Sequence, residues 1–270
     1  MTSIYVHGSE PDEQRRLSLL NDLLNDECLR PMALRGTERV VDFGSGLGQF
    51  ARAMARRGCR VVGIEREERQ RRRAIELAAA SGESALVDFR AGDGERPPLA
   101  PEEFGSFDLA HARFLLEHLR DPGAVVATML RSVRFGGHVV LFDDDHDALR
   151  LWPHPPAVLT WWHAYWRYYE KLGNDPLVGR KLVALLHNAG ATPVRSGVVN
   201  FGGCAGEATF QHLVDNFVGV METATPDLLA NALLDEPTLH AGRTQLAAWR
   251  RRPDAALWYP LPYAIGRRDA

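Results

Sequence analysis

Short apolar segments alternate with helical segments between residues 39 and 144. The apolar segments have the length of strands, and the segments between them carry apolar residues at a helical spacing. The five predicted strands are RVVDF (39–43), RVVGIE (60–65), SALVDFRAGD (84–93), SFDLAHA (106–112) and HVVLFDD (138–144). Strands that alternate with helices form a parallel sheet covered on both faces. The sequence therefore predicts a doubly wound α/β fold whose strand-to-helix turns lie along one edge.

Further elements flank this alternation. Residues 11–35 are predicted to be helical, and the helix that begins at Asp121-Pro122 should end at Gly136-Gly137. Beyond residue 146, a proline-broken link leads into an aromatic helix. The remaining predicted elements are a helix from Asp175-Pro176 to Gly190, a strand near 193–201, helices near 206–222 and 225–252, and a last strand around 258–266, where Pro260 and Pro262 suggest a bulge or a late start.

The composition favours a globular protein with a small partner. The 270 residues are 45% hydrophobic, and the net charge is −3 with no sustained basic stripe. We therefore expect a small-molecule partner, neither nucleic acid nor membrane, and a monomer or homodimer. Three widely separated cysteines indicate neither a disulfide framework nor a structural zinc site. The N-terminus lacks the apolar core of a signal peptide and no apolar run reaches about 18 residues, so we expect a cytoplasmic protein.

The turn after the first strand is rich in glycine. Gly44, Gly46 and Gly48 alternate behind Asp42, a spacing suited to a ligand that lies against bare backbone. A nicotinamide dehydrogenase would more often show G-x-G-x-x-G, so the spacing disfavours that class. Asp42 places a carboxylate where a cationic amine could be received.

The next two turns each carry an acid. Glu65 ends the second strand, where a carboxylate can accept both hydroxyls of a ribose. Asp93 lies between Gly92 and Gly94 after the third strand, where it can accept from an adenine amino group or cap the turn. Three acids in register at successive strand ends are hard to explain by capping alone.

The motifs of residues 38–144 resemble those of the class I S-adenosylmethionine-dependent methyltransferases; they are VVDFGSGLGQF, VVGIE, FRAGD, FDLAHARFLLEHLRDP and GGHVVLF. The resemblance implies a doubly wound, seven-stranded Rossmann-like sheet with an antiparallel last strand and a helical substrate cap. It also implies S-adenosylmethionine across the strand ends, with S-adenosylhomocysteine as product. The implied parts are an N-terminal helical arm and lid (1–36), a cofactor-binding core (37–145), a helical cap insertion (146–192) and a C-terminal completion of the sheet with further cap helices (193–270).

The resemblance further implies a set of cofactor-binding residues. Those near the methionine part are Asp42, Gly44, His111, Ala112 and Arg113, those under the cofactor are Gly46 and Gly48, and those at the ribose and adenine are Glu65 and Asp93. Ser45, Arg66, Gly92 and Gly94 neighbour these positions and complete the set. The start of the chain is similar to the cap of small-molecule methyltransferases, so Tyr5 and His7 are expected beside the cofactor or in a lid.

A phenol or alcohol acceptor would also need a general base, for which histidine is the usual candidate. His146 follows the fifth strand and is our preferred base, although a solvated turn histidine stays an alternative. His118 lies in LLEHLRDP, which is common across the family, so we expect it to pack beside the cofactor turn.

The acids around His146 could instead bind a metal ion, because hard divalent ions prefer several oxygen ligands. The cluster comprises Asp143, Asp144, Asp145, His146 and Asp147. Catechol-type methyltransferases resemble this but also use an acid at the end of strand four, where this sequence has His111 and Arg113. We therefore predict no metal.

The aromatic helix carries Trp162, Tyr165, Trp166 and Tyr169 on one face, as core or as the wall of a pocket. The predicted substrate pocket comprises Phe114, Asp144, Trp162, Tyr165, Trp166, Asn216 and Phe217. We expect methyl transfer to an oxygen or nitrogen, less often carbon, atom of a small aromatic or apolar metabolite, of a kind made in secondary metabolism. Two alternatives stay open: a non-methylating, cyclase-like enzyme on the same scaffold, and a non-catalytic cofactor-binding subunit of a partner enzyme.

Overall fold

Eight strands form one sheet in a computed structural model that describes residues 24–269. The strands are β1 (Arg39–Phe43), β2 (Arg60–Glu65), β3 (Val87–Ala91), β4 (Phe107–Arg113), β5 (Val133–Phe142), β6 (Arg150–Trp152), β7 (Thr192–Cys204) and β8 (Ala256–Arg267). Their order is β3-β2-β1-β4-β5-β8, and both β6 and β7 pair with β8. Pairs among β1 to β5 are parallel, whereas β8 is antiparallel to each of its neighbours. The predicted doubly wound sheet with an antiparallel last strand is confirmed.

Helices cover both faces of the sheet. Helix α1 covers residues 24–32. The others are α2 (Gln49–Arg56), α3 (Glu68–Ala80), α4 (Pro122–Ser132), α5 (Pro156–Leu172), α6 (Leu182–Asn188), α7 (Phe210–Ala230) and α8 (Glu236–Trp249). Val40 belongs to the apolar cluster that contains α2, and Val41 to the cluster that contains α4 and α6, because successive side chains of a strand face opposite ways. None of the described helices is long and apolar enough to cross a membrane.

Helices α5, α7 and α8 form a second apolar core, the cap, beside the sheet. Its buried side chains make one cluster with those of β6 and the start of β8. The indole of Trp161 on α5 donates to the hydroxyl of Thr225 on α7 at 3.1 Å. The indole of Trp249 on α8 donates to the carbonyl of Pro153 at 2.9 Å. These bonds connect the cap helices and the segment before α5.

The structure corrects two predicted features near β5. The sheet has an eighth strand, the three-residue β6, which is too short to give a periodic signal in the sequence. Helix α4 ends at Ser132, so Gly136-Gly137 lie within β5 rather than at the end of a helix. Gly136 has a φ of 74°, and a side chain on Gly137 would come within 2.9 Å of the carbonyl oxygens of Arg134 and Asp108. These glycines are therefore required by an irregular part of the strand.

The predicted helix boundary near residues 222–225 is wrong, because α7 runs unbroken through Pro226 to Ala230. Met221, Ala224 and Leu228, on both sides of the proline, are buried in the cap. Their burial outweighs the hydrogen bond that the proline removes. Helix α8 begins instead at Glu236, after the N-cap residue Asp235, whose carboxylate accepts from the backbone N–H of Thr238.

Strand β8 contains Pro260 and Pro262 without the predicted bulge or late start. On the edge that faces β5 and β6, residues 263–267 pair with β5 and residues 256–258 pair with β6. The carbonyl of Pro262 accepts from the N–H of Asp143, which places the polar groups of both prolines on that same edge. The missing N–H groups therefore fall in the gap between β5 and β6, where no ladder needs them.

Candidate functional site

A cavity of about 260 Å³ lies at the edge where the parallel strands end. The turns after β1 to β5 line one side of it, and residues of α5, α7, β7 and β8 line the other. The sheet and the cap therefore enclose a single site between them.

The glycine-rich turn forms the floor of the cavity under β1. The N–H groups of Gly44 and Ser45 donate to the carbonyl of Ile64 at 2.9 and 3.0 Å, which attaches the turn to β2. Gly44 and Gly46 have φ values of 68° and 53°, a region that favours glycine. Gly44, Ser45 and Gly46 line the cavity as predicted.

Gly48 does not line the cavity, which corrects its predicted place under the cofactor. Its φ is 70°, and a side chain there would come within 2.3 Å of the ring of Phe89 on β3. The third glycine is therefore required for packing of the turn against β3.

Glu65 lies at the end of β2 with its carboxylate over the glycine turn. Its two oxygens accept from the N–H groups of Gly46 and Glu67 at 2.8 and 2.7 Å. Burial raises the pKa of Glu65, against the lowering effect of these backbone hydrogen bonds and of Arg66. A carboxylate has about four acceptor positions. The carboxylate therefore keeps acceptor capacity for the hydroxyls of a ribose.

The predicted residues after β3 also line the cavity. Gly92 donates its N–H to the carbonyl of Glu65 at 3.1 Å, which places the turn beside the end of β2. One oxygen of the exposed Asp93 accepts from the N–H of Glu95 at 2.8 Å. Asp93 therefore stabilises its own turn and keeps its other oxygen for a ligand. Gly94 contacts Val125 rather than open space.

Asp42 and His111 form a buried pair at the ends of β1 and β4. His111 Nδ1 lies 2.6 Å from Asp42 Oδ1, and no described residue bonds His111 Nε2, which is also buried. Burial lowers the pKa of His111, although the charge of Asp42 opposes this shift. The neutral ring then donates Nδ1–H to Asp42 and turns the lone pair of Nε2 toward the cavity. Asp42 was predicted to accept from a cationic amine. Because Asp42 already accepts from His111, the Nε2 lone pair of His111 offers part of that acceptor function.

Arg113 and Ala112 have different environments although they are adjacent in β4. Arg113 lines the cavity, stacks over Phe50 at 4.3 Å and donates to the side-chain oxygen of Asn25 at 3.0 Å. Ala112, also predicted to contact the cofactor, has its side chain in the core on the other face of the sheet. The alternation of side chains along a strand accounts for the difference. Phe114, which follows β4, lines the cavity as predicted.

Three titratable side chains converge on the opposite side of the cavity. Glu117 follows β4, whereas Asp144 and His146 follow β5. Glu117 Oε2 lies 3.2 Å from His146 Nε2, and Asp144 Oδ2 lies 3.9 Å from the same nitrogen. On the far side of Glu117, His118 Nε2 lies 3.4 Å from Oε1. Among residues 24–269, Glu117, Asp144 and His146 form the group close enough to hold a metal ion.

Asp143 connects the turn after β4 to the turn after β5. Its carboxylate accepts from the N–H groups of Leu115 and Leu116 at 3.1 and 2.7 Å, and from Asp144 at 3.0 Å. The turn after β4 is thereby fixed to the end of β5, which places Glu117 beside Asp144. Asp145 and Asp147 point elsewhere, since both pair with Arg180. The five residues predicted as an alternative metal cluster therefore do not converge.

Burial dominates the electrostatics of this group. It raises the pKa of Asp144 to about 8, reinforced by Glu117, and raises that of Glu117 well above its usual range. It lowers the pKa of His146 to about 4 and of His118 to about 3. At neutral pH both imidazoles are therefore uncharged, and the two acids, which lack a positive partner, are mainly protonated.

Aromatic rings surround the three side chains. The ring of His146 stacks on Tyr165 at 5.5 Å and lies 5.0 Å from Trp162. The hydroxyl of Tyr259 hydrogen-bonds Asp144. We call Glu117, Asp144, His146, Trp162, Tyr165 and Tyr259 the inner wall of the cavity. Asn216 and Phe217 on α7 also line the cavity, as predicted, but Trp166 does not and instead packs against His163.

Sequence reasoning missed Glu117, Tyr259 and the pairing of Asp42 with His111. Glu117 precedes His118 in LLEHLRDP, so an acid shortly after the fourth strand was visible in the sequence. Tyr259 had no signal, because it arrives from the last strand. Tyr5 and His7, predicted beside the cofactor, lie outside the described residues.

The lining residues fit S-adenosylmethionine. Glu65 keeps acceptor positions for ribose hydroxyls, the buried Nε2 of His111 has a lone pair for an ammonium group, and the turn at Gly46 exposes bare backbone. Arg66 and Arg113 add positive charge on the same side of the cavity.

Comparison with known proteins relates the chain to a broad group. The sequence model of the methyltransferase domain family matches residues 12–196. A ubiquinone biosynthesis O-methyltransferase of Ralstonia nicotianae is 36% identical over 127 residues, which are 47% of this chain and 51% of that protein. The chain spans about half the length of the curated relatives that it matches first.

Two solved structures show the same fold over almost the whole chain. Geranyl diphosphate C-methyltransferase from Streptomyces coelicolor A3(2) aligns with a TM-score of 0.56 and 13% identity, covering 99% of this chain and 89% of that one. The [4+2]-cyclase SpnF aligns with a TM-score of 0.54 and 18% identity, covering 100% of this chain and 86% of that one. At these identities the likeness concerns the fold alone.

Proposed function

The chain belongs to the methyltransferase domain family, of the class I S-adenosylmethionine-dependent methyltransferases, and we propose that it methylates an oxygen or nitrogen atom of a small molecule. The observation that carries the proposal is that the cofactor-type turns and the Glu117–His146 pair line one cavity. A methyl donor and an acceptor bound there would both lie between the sheet and the cap.

The chain's own residues hold the donor on the side of the strand ends. S-adenosylmethionine, when bound, supplies a methyl group activated by a positively charged sulfur. Glu65 would accept the ribose hydroxyls, Asp93 would meet the adenine, and His111 would accept from the methionine ammonium. The cap excludes water from the opposite side, which strengthens each of these charge interactions.

We assign proton removal from the acceptor to His146. Glu117 fixes the ring by pairing with Nε2, so that Nδ1 carries the lone pair. No described residue bonds Nδ1, and the ring is uncharged at neutral pH because burial lowers its pKa to about 4. A neutral, oriented imidazole can therefore accept a proton from a bound acceptor.

The acceptor that we propose is a small aromatic or apolar metabolite. Trp162, Tyr165 and Phe217 supply flat apolar surfaces, and the ring centres of Trp162 and Phe217 are 5.3 Å apart. Such surfaces stack on a planar group and exclude water. The named relative is an O-methyltransferase, which supports oxygen as one acceptor atom.

Methyl transfer from labelled S-adenosylmethionine to a panel of phenols, alcohols and amines tests the proposal. We expect labelled product and S-adenosylhomocysteine in equal amounts. His146→Asn should lower kcat about 100-fold or more while the affinity for S-adenosylhomocysteine stays unchanged. Label that remains on the cofactor while the acceptor is consumed would instead identify a non-methylating reaction.

A further inference from the structure

The aromatic side chains of the inner wall have no hydrogen-bond donor to spare. The indole of Trp162 donates to the carbonyl of His146 at 2.8 Å, and the hydroxyl of Tyr165 donates to that of Tyr169 at 2.9 Å. The hydroxyl of Tyr259 is bonded to Asp144. These three donors are therefore engaged within the protein and are not available to a ligand.

Some hydrogen-bond acceptors of the inner wall, by contrast, have no donor. Asp144 Oδ1 and His146 Nδ1 are buried and receive no hydrogen bond from any described residue, whereas Glu117 Oε2 is already paired with His146 Nε2. Glu117 is 1% exposed, so water does not satisfy its carboxylate from the surface. An unsatisfied buried acceptor costs about 1–3 kcal/mol, and more if it is charged. The wall is therefore completed by a ligand that brings donors.

The inner wall also lacks a positive charge. The cationic side chains among the described lining residues are Arg66 and Arg113, and both lie on the cofactor side, after β2 and at the end of β4. Burial without a counter-charge raises the pKa values of Glu117 and Asp144. A bound cation would lower these pKa values again and favour the ionised form of both acids.

We propose that the methyl acceptor is a basic amine, which binds as an ammonium ion against Glu117 and Asp144 with its carbon skeleton between the aromatic rings of the inner wall. This inference rests on the proposed function and narrows its acceptor atom to nitrogen. The ammonium N–H groups would meet the two vacant acceptors, Asp144 Oδ1 and His146 Nδ1, and the rings of Tyr165 and Trp162 add cation–π attraction.

The charges of the inner wall also suit the transfer itself. The ammonium gives one proton to His146 Nδ1, and the neutral nitrogen then forms a bond to the methyl carbon as the bond from carbon to sulfur breaks. The products are a methylammonium ion, the uncharged thioether of S-adenosylhomocysteine and a protonated His146, which releases its proton to solvent when the site opens. Positive charge thus moves from sulfur to a nitrogen held beside Glu117 and Asp144. Carboxylates placed where positive charge develops stabilise the transition state.

Two other ligand classes fit the same wall less well. A phenolate would bring negative charge to two carboxylates, and a neutral phenol would fill only one of the two vacant acceptors. A divalent metal ion would use the two carboxylates and His146 as ligands, but the aromatic rings on both sides of His146 add nothing to its coordination.

Binding of matched probes separates the classes. With the full chain saturated with S-adenosylhomocysteine, calorimetry should show that phenethylamine binds about tenfold or more tightly than 2-phenylethanol, its uncharged counterpart. Glu117→Gln and Asp144→Asn should each remove most of this preference while S-adenosylhomocysteine still binds. Glu170→Gln, an exposed carboxylate on the same helix as the aromatic rings, should leave the preference intact.

Tyramine tests the atom that is methylated, since it carries a phenol and an amine in one molecule. We expect mass spectrometry to find the methyl group on nitrogen. Equal binding of the two phenethyl probes, no binding of the amine at millimolar concentration, or methylation of tyramine at oxygen alone would overturn the inference. Tight binding of Mn²⁺ or Zn²⁺ that Glu117→Gln abolishes would overturn it in favour of a metal site.

Failure of the proposed function has a different signature. In that case the chain would bind no S-adenosylhomocysteine, or would transfer no methyl group to any member of the wider panel. An enzyme that methylates phenols but shows no preference for amines would retain the proposed function and lose only the narrower inference.

Discussion

Glu65 shows how one residue can serve both the fold and the ligand. Its carboxylate accepts from Gly46 and Glu67, so it shapes the turn on which a cofactor would lie. The same oxygens have acceptor positions left for ribose hydroxyls. Asp93 likewise stabilises its own turn and has an oxygen for a ligand. Its side chain is exposed, however, so water can replace its ligand contacts. A buried carboxylate therefore matters more to binding than an exposed one.

We expect Glu65→Gln to weaken binding of S-adenosylhomocysteine by about 1–3 kcal/mol, because ribose hydroxyls would lose a charged acceptor in a buried site. Asp93→Asn should have a smaller effect. Isothermal titration calorimetry measures both, with Glu76→Gln, exposed on α3, as the control. Equal affinity of the Glu65 variant and the parent chain would mean that the ribose lies elsewhere.

Strand and helix contacts decide which glycines the first turn needs. Gly44 and Gly46 line the cavity, whereas Gly48 allows α2 to start against Phe89 of β3. The G-x-G-x-G pattern looks like one motif in the sequence, yet it combines a ligand surface with a packing contact. The cavity surface at Gly44 and Gly46 therefore depends on the packing of Gly48 against Phe89.

Gly48→Ala should destabilise the fold by about 2–5 kcal/mol, since its methyl group meets Phe89 and its φ is positive. Gly82→Ala is a matched control: its φ is 71°, close to the 70° of Gly48, but nothing lies within 4 Å of the added atom. That control should cost only about 1–2 kcal/mol of backbone strain. Urea unfolding gives both values, and equal losses would show that Phe89 does not restrict the turn.

At the scale of the whole molecule, ion pairs connect strands that are distant in sequence. Glu103, which precedes β4, pairs with Arg39 of β1 and Arg90 of β3, at 2.6 Å in each case. The hydrogen bond from Arg90 is the largest cause of a pKa of about 2 for Glu103, below its usual 4.5. Because the folded state holds the carboxylate ionised, its contribution to stability is present above pH 4.5 and is lost as the pH falls toward 2.

Glu103→Gln should therefore lower the free energy of unfolding at neutral pH by up to about 3 kcal/mol, the value of the shift in pKa. The difference from the parent chain should shrink as the pH falls from 4.5 to 2. Urea titrations across this range measure it, with the exposed neighbour Glu102→Gln as the control. A difference that stays constant with pH would show that lost packing, not charge, accounts for the effect.

Local patterns in the sequence determined most of the sheet and its cofactor side. The alternation of apolar strands and helices fixed β1 to β5, because side-chain periodicity follows backbone geometry within one element. The acids at strand ends could be placed at one edge for the same reason, and Glu65 and Asp93 line the cavity there. The rule that the carboxyl ends of parallel strands meet at one edge of the sheet was enough to predict that these acids lie close together.

Only the tertiary structure decided what faces the other side of the cavity. Asp143 joins the turns after β4 and β5 and so brings Glu117 to His146, while β8 adds Tyr259 and α5 adds Tyr165. These contacts join residues far apart in the chain, and their geometry depends on how the cap packs on the sheet. The same holds for α7, where burial in the cap carries the helix through Pro226. Periodicity within an element cannot report such contacts, because long-range packing sets them.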